Sequence, residues 1–309
     1  MLHIMIGCDC DPDRPEYGGD NHTTFDGLRR AIADIGASSI PITWLVRSDL
    51  EFPGTMFRSF GFEALQAKGH ELAWHCHFWR KGPQGWYQEC QDLGWLRECI
   101  TEGYQNAYPA RPRFVRTGWC FQTPFTLRLF AGLGILADFS CSPDMVSHAT
   151  DTNGLPVDRQ NWLGAPTRPY YPLGADSQLL EIPTSTYPFS LIKRLTRTLR
   201  TRTLLRRGSV GIAGDPLRVR RCFAELLRQV KAGRDPVYFL SYIHPDAMLA
   251  GANSGVAENR DDLRNNLRMI EQMAQNERIP FKYVTASELY RIVTISSGEG
   301  PVQTSESYE

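Results

Sequence analysis

The chain has 309 residues, 42% hydrophobic and 22% charged, with 34 Lys+Arg against 34 Asp+Glu. That length and apolar content allow a large core, and the balanced charge excludes a global field that would draw the protein to nucleic acid or an acidic surface. The 8 cysteines contain no CxxC pair, which points to reduced, buried thiols and away from a disulfide framework or a zinc ribbon.

In chain order, Met1 to Gly7 runs straight into an apolar strand without a basic leader or cleavage site. No apolar run reaches the roughly 18 residues of a spanning helix. The expectation is a cytoplasmic protein. Leu2 to Cys8 reads as the first strand and closes on Cys8-Asp9-Cys10-Asp11-Pro12. A strand's period of two places Asp9 and Asp11 on one face and Cys10 on the other. An isolated DxD is more often an acidic turn or a helix cap. Phe25 to Ile35 follows as a helix, with Leu28, Ala31, Ile32 and Ile35 on one side and Gly36 ending it.

Ile40 to Val46 is the second strand, and Phe60 to Lys68 with Gly69 repeats the helix-then-glycine phrase. The third strand, Glu71 to His75, ends in His75-Cys76-His77, two imidazoles again on one face of an extended chain. Two histidines and a carboxylate are a common set for Zn²⁺ or a similar ion. Phe114 to Arg116 and Val237 to Ile243 are further strands, the latter closing on His244-Pro-Asp246. Strands alternating with helices give a parallel α/β protein, whose active residues sit where strands end. Towards the end come a helix over Asp261 to Asn276, a strand Phe281 to Val284, a helix Ser287 to Ile292 and a polar tail, 296–309.

At these blocks the sequence resembles the polysaccharide deacetylases of the NodB-homology group, carbohydrate esterase family 4. Asp9 and Asp11 stand where that family has its paired aspartates. Lys68-Gly-His-Glu-Leu-Ala-Trp-His75 is similar to its KAGHE segment, and Arg113-Phe-Val-Arg116-Thr-Gly-Trp119 to its arginine block. Ala137-Asp138-Phe139-Ser140 is similar to its aspartate block, and Leu240-Ser-Tyr-Ile-His244 to its terminal histidine block. The resemblance implies a distorted (β/α) barrel of about seven strands, one catalytic domain over 1–295. It also implies a metal-dependent hydrolase that removes an N-acyl group, acetyl foremost, from an amino sugar in a polysaccharide, glycolipid or sugar precursor.

What the resemblance implies for single residues is a metal held by Asp11, His75 and His77, with Asp9 as general base, His244 as general acid and Arg116 holding Asp9. The expected cofactor is one divalent metal, Zn foremost, with Co, Ni, Mn or Fe as alternatives. The sequence departs from the family in three places. Trp79 stands four after His75, where a second histidine is usual, so His77 takes its place. Cys10 separates the aspartates, which leaves the division of base and ligand between Asp9 and Asp11 open. Thr117-Gly-Trp replaces the usual proline-containing turn.

Trp74, Trp79 and Trp119 are candidates for stacking on a sugar, with core packing as the alternative. His22, Asp138 and Asp246 are accessory candidates, the two aspartates for orienting His244. Residues 189–207 carry seven basic residues between Lys193 and Arg207 and no acid, with Leu191, Leu195 and Leu199 at helical spacing. That stretch, within an insertion at about 187–208, reads as a solvated helix or as a contact to the cytoplasmic membrane surface, which would place the protein at the inner membrane face. Competing functions are a deformylase, another amidohydrolase acting on a lipid-linked or small amide, or a catalytically inactive carbohydrate-binding relative. No nucleic-acid partner is expected.

Overall fold

The computed structural model describes residues 1–11, 28–30, 32–36, 38–82, 85–150, 156–189, 207–245 and 260–296. His22, Asp246, most of the basic insertion and the tail beyond 296 lie outside the described residues. The strands are β1 (Leu2–Cys10), β2 (Thr43–Arg47), β3 (Glu71–Cys76), β4 (Trp79–Gly82), β5 (Gly85–Gln88), β6 (Phe114–Thr117), β7 (Ala137–Asp138), β8 (Val146–Thr150), β9 (Pro156–Asn161), β10 (Leu180–Glu181), β11 (Thr186–Pro188), β12 (Arg207–Ser209), β13 (Val237–Ile243) and β14 (Phe281–Val284). The helices are α1 (Phe62–Gln66), α2 (Leu93–Gln105), α3 (Pro124–Gly132), α4 (Pro216–Lys231), α5 (Arg260–Asn276) and α6 (Ala286–Ser296).

The main sheet runs β10-β7-β6-β3-β2-β1-β13, and every pairing along it is parallel. At one edge of β1, β14 pairs the first half, Leu2 to Met5, and β2 the second half, Gly7 to Cys10. The sheet curls until the chain after β10 reaches β13. Ser185 then joins the two, its N–H donating to Leu240 O at 2.9 Å and its Oγ accepting from Leu240 N at 2.9 Å. A side chain thus bridges where a ladder would close a regular barrel.

Period-two alternation sorts each strand into an outer and an inner row. Leu2, Ile4, Ile6, Cys8 and Cys10 of β1, Trp44 and Val46 of β2, and Val237, Phe239 and Ile243 of β13 pack outward, with Val219, Phe223 and Leu227 of α4 and Leu263 and Ile270 of α5 in the same layer. Met5, Leu45, Ala73, Phe114, Leu180 and Leu240 point inward. Leu289 and Val293 of α6 belong to that inner cluster and fill one end of the barrel. The start of α6 is docked there, Ala286 N donating to Thr43 Oγ1 at 2.9 Å and Ser287 N to Glu71 Oε2 at 2.8 Å. Each fully buried Leu, Ile or Phe contributes about 1.5–3 kcal/mol, so the two apolar rows fix which face every strand shows.

With one end filled, the inner rows turn polar at the other, where the strands finish. Two antiparallel hairpins, β4–β5 and β8–β9, stand beside that end. Trp162, just past β9, ties its hairpin to the 3-10 turn Gly118–Cys120 by donating from Nε1 to Cys120 O at 2.9 Å. Among the described residues no helix is long and apolar enough to cross a membrane.

Candidate metal centre and active site

Continuing the inner row of β1 past Met5 and Gly7 brings Asp9 and then Asp11 to the open end. In register with it, Arg47 of β2 lies beside His75 of β3, and His75 beside Arg116 of β6. Tyr242 of β13 and His244 just beyond it complete the ring. The chain reaches this arrangement because apolar residues two positions back on each strand are buried inside the barrel.

Asp11, His75 and His77 bring one ligand atom each within 4.8 Å of the others, and all three are buried. His77 Nε2 lies 2.7 Å from Asp11 Oδ2 and 3.1 Å from His75 Nε2. Burial drives the His75 pKa down to about 3, with Asp9 opposing it and His77 reinforcing it, so its ring is neutral and its Nε2 can act as a donor. Nδ1 of each imidazole is buried without a hydrogen-bond partner among the described residues, and it is the two Nε2 atoms, 3.1 Å apart, that converge. Two imidazoles and a carboxylate oxygen converging in a buried pocket fit a borderline divalent cation.

Asp9 stands beside this trio. Its Oδ2 is 3.4 Å from Arg116 Nε and 3.7 Å from His244 Nε2. The Asp9 and Arg116 side chains are 4% and 3% exposed, whereas that of His244 is 24% exposed and stands at the mouth. The Arg116 guanidinium lies over the Tyr242 ring, 4.0 Å from its centroid, and its Nη2 faces Cys120 Sγ at 3.9 Å. Burial opposes the charge on Arg116 most strongly, but Asp9, Cys120 and Tyr242 together outweigh it and the pKa is raised. The cation is permanent.

Three sequence expectations change. Trp74 does not face the site: it is fully buried on the outer row of β3, donates from Nε1 to Ser48 O at 2.7 Å and packs edge-on against Phe130. Trp79 is 4% exposed and stacks on His77, which leaves little indole for a sugar. Of the three tryptophans, Trp119, at intermediate exposure and edge-on to Trp79, has the most surface to offer. Asp138 is turned away from the role of orienting His244. Its Oδ1 accepts from Ser140 N and Oγ, and its Oδ2 from Gln122 Nε2, which also donates to Glu181 Oε2 at 3.0 Å.

Asp138 and Glu181 form a buried acid pair. Burial pushes the Asp138 pKa up to about 7, and burial, then Asp138, hold Glu181 well above the usual carboxylate range. The folded protein therefore binds more protons here than the unfolded chain between about pH 4 and 7. Stability contributed by Asp138 is full below about pH 4, falls as pH rises through 7 and is flat beyond. Urea unfolding of Asp138→Asn against the parent at pH 4.5 and 7.5 is expected to favour the variant by a few kcal/mol more at the higher pH. A difference independent of pH would exclude a raised pKa at this position.

Sequence reasoning missed Arg47. Its side chain is 1% exposed; Nη1 donates to Asp11 Oδ1 at 2.9 Å and Nε to Asp49 Oδ2 at 2.7 Å. It thereby occupies the Asp11 oxygen turned away from the histidines. The signal was present, since Arg47 is the polar residue that closes the inner row Thr43, Leu45, Arg47, as Arg116 closes β6.

No family model and no curated protein matches this chain. Among solved structures, one described as a polysaccharide deacetylase from Mycobacterium smegmatis superposes over 99% of this chain and 94% of its own, with a TM-score of 0.52 and 15% identity. The chain has the fold of that protein, the distorted parallel (β/α) barrel of the NodB-homology type.

Proposed function

We propose that this chain is a metal-dependent hydrolase that removes an N-acyl group, acetyl foremost, from an amino sugar. The observation that carries the reading is the separation of two acidic groups at one strand end. Asp11 joins two buried imidazoles as a donor set, while Asp9, one strand period away, faces an arginine and a histidine instead. A binding module has no use for that division.

Asp11, His75 and His77 would hold the cation, which when bound supplies polarisation of the acyl oxygen and acidification of a water. The other residues carry the protons. Asp9, kept ionised and aimed by Arg116, accepts a proton from the attacking water as the new C–O bond forms. His244, at the mouth, delivers a proton to the sugar nitrogen as the C–N bond breaks, so the products are a carboxylate and an amine. The buried walls around Asp9 and Asp11 exclude bulk water and strengthen each of these charges. Trp119 offers an indole face on which a sugar ring can stack. The fold shared with a protein described as a polysaccharide deacetylase supports the same substrate class. For the metal, Zn stands first and Co, Ni, Mn or Fe are the alternatives.

The test is to strip the protein, reload it with each metal, and measure bound metal together with acetate released from N-acetylglucosamine oligomers. About one cation per chain and metal-dependent acetate release are expected. A parent protein that retains no divalent cation would sink the proposal.

A further inference from the structure

We infer that Gly118 and Trp79 form the seat that holds the His77 ring in its ligating pose, in place of a hydrogen bond. The inference rests on the metal-centre reading above. A ligating imidazole is ordinarily oriented by donating its second N–H to a carboxylate or carbonyl. His77 has no such restraint among the described residues, because its Nδ1 is buried without a partner. Nor does the sheet hold it. β3 ends at Cys76, one residue earlier, whereas His75 sits within the ladder between Arg47 and Arg116.

What does touch the ring is aromatic on one account and bare backbone on the other. The Trp79 indole is stacked on it, with centroids 5.7 Å apart and planes 14° from parallel. Trp119 braces that indole edge-on at 6.3 Å. Gly118 approaches so closely that a Cβ there would lie 2.1 Å from both Cε1 and Nδ1 of His77 and 2.4 Å from Nε2. Such a Cβ would land on the ring itself, so no other residue fits at 118 unless the imidazole leaves. The neighbourhood follows from register: Cys76 pairs with Thr117 at the end of the β3–β6 seam, and the residues that follow the two strands are His77 and Gly118. Gly118 is needed for space rather than for backbone freedom. Both are positioning residues, acting on the metal through His77.

The test uses Co²⁺ on the full, metal-stripped chain, read by calorimetric titration and by its visible d–d spectrum. Gly118→Ala is expected to weaken Co²⁺ binding by about 100-fold or more and to change the spectrum, since one imidazole donor is displaced. Trp79→Leu should weaken it by about 10–100-fold, and Trp79→Phe, which keeps a stacking ring, should recover most of that. Thermal unfolding of the metal-free proteins supplies a second measure. Gly118→Ala should lower the midpoint in the parent but be neutral in a His77→Ala background, where the added methyl takes the vacated space. Unchanged Co²⁺ affinity and spectrum in Gly118→Ala, or equal destabilisation with and without the His77 ring, would overturn the seat. Failure of the parent itself to bind Co²⁺ would instead overturn the metal-centre reading.

Discussion

Asp9→Asn is expected to lower kcat by about 10²–10⁴-fold, the usual contribution of a general base, while the protein still retains its metal. Asp11→Asn is expected to lose the metal. The contrast follows from where each carboxylate points. Asp11 Oδ2 lies 2.7 Å from His77 Nε2 and belongs to the donor trio. Asp9 Oδ2 is instead within 3.4 Å of the Arg116 guanidinium and 3.7 Å of His244. An amide at position 9 keeps the shape but accepts a proton poorly, so binding survives and proton abstraction does not. Metal content by elemental analysis and kcat on N-acetylated oligosaccharide, measured on the same preparations, decide it. If Asp9→Asn empties the site and Asp11→Asn leaves it filled, the two roles are reversed. Cys10, the residue between them, lies in the outer apolar row and takes no part.

That division could be posed but not resolved from sequence, and the reason is geometric. Period two puts Asp9 and Asp11 on one face, yet which of them meets the histidines depends on how far β1 extends past its neighbours. β1 runs to Cys10, two residues beyond the apolar stretch that marks it in the sequence. The same rule governs Trp74 and Arg47. Trp74 is adjacent to His75 in sequence, and adjacency in a strand means opposite faces, so it packs in the outer row. Arg47 lies one residue past the apolar run that ends at Val46, and the strand's extension by that residue aligns it with His75. Val237–Ile243 and Phe281–Val284 carry strong apolar runs, and there the sequence pattern and the strand bounds coincide. β7 and β10, two residues each, carry no pattern at all, and the acid pair they position was invisible for that reason. The seat of His77 lay deeper still, since Gly118 meets the ring only across a seam between strands far apart in the chain. A glycine within the arginine block gives no hint of what it makes room for.

Arg47→Met should produce the largest loss of stability of the substitutions considered, about 3–5 kcal/mol in the metal-free protein. The guanidinium is one of the largest fully buried side chains and sits between two buried carboxylates, Asp11 and Asp49. Removing it leaves both charges in a low-dielectric site, which costs more than the ion pairs themselves contribute. The two acids are not equivalent. Asp49 also accepts from the backbone N–H of Glu51 and Phe52 through Oδ1, each at 3.0 Å, and so keeps partners when Arg47 is gone. Asp11 instead turns its other oxygen, Oδ2, to the metal centre, 2.7 Å from His77 Nε2. Two consequences follow for chemical unfolding experiments. Adding Asp49→Asn to Arg47→Met should recover part of the loss, because one uncompensated charge is removed. Saturating Zn²⁺ should recover more, since a cation held by Asp11 replaces the compensation that Arg47 supplied and binds only the folded chain. If Arg47→Met unfolds at the same denaturant concentration as the parent, with or without Zn²⁺, Arg47 is not the counter-charge that holds Asp11 in place.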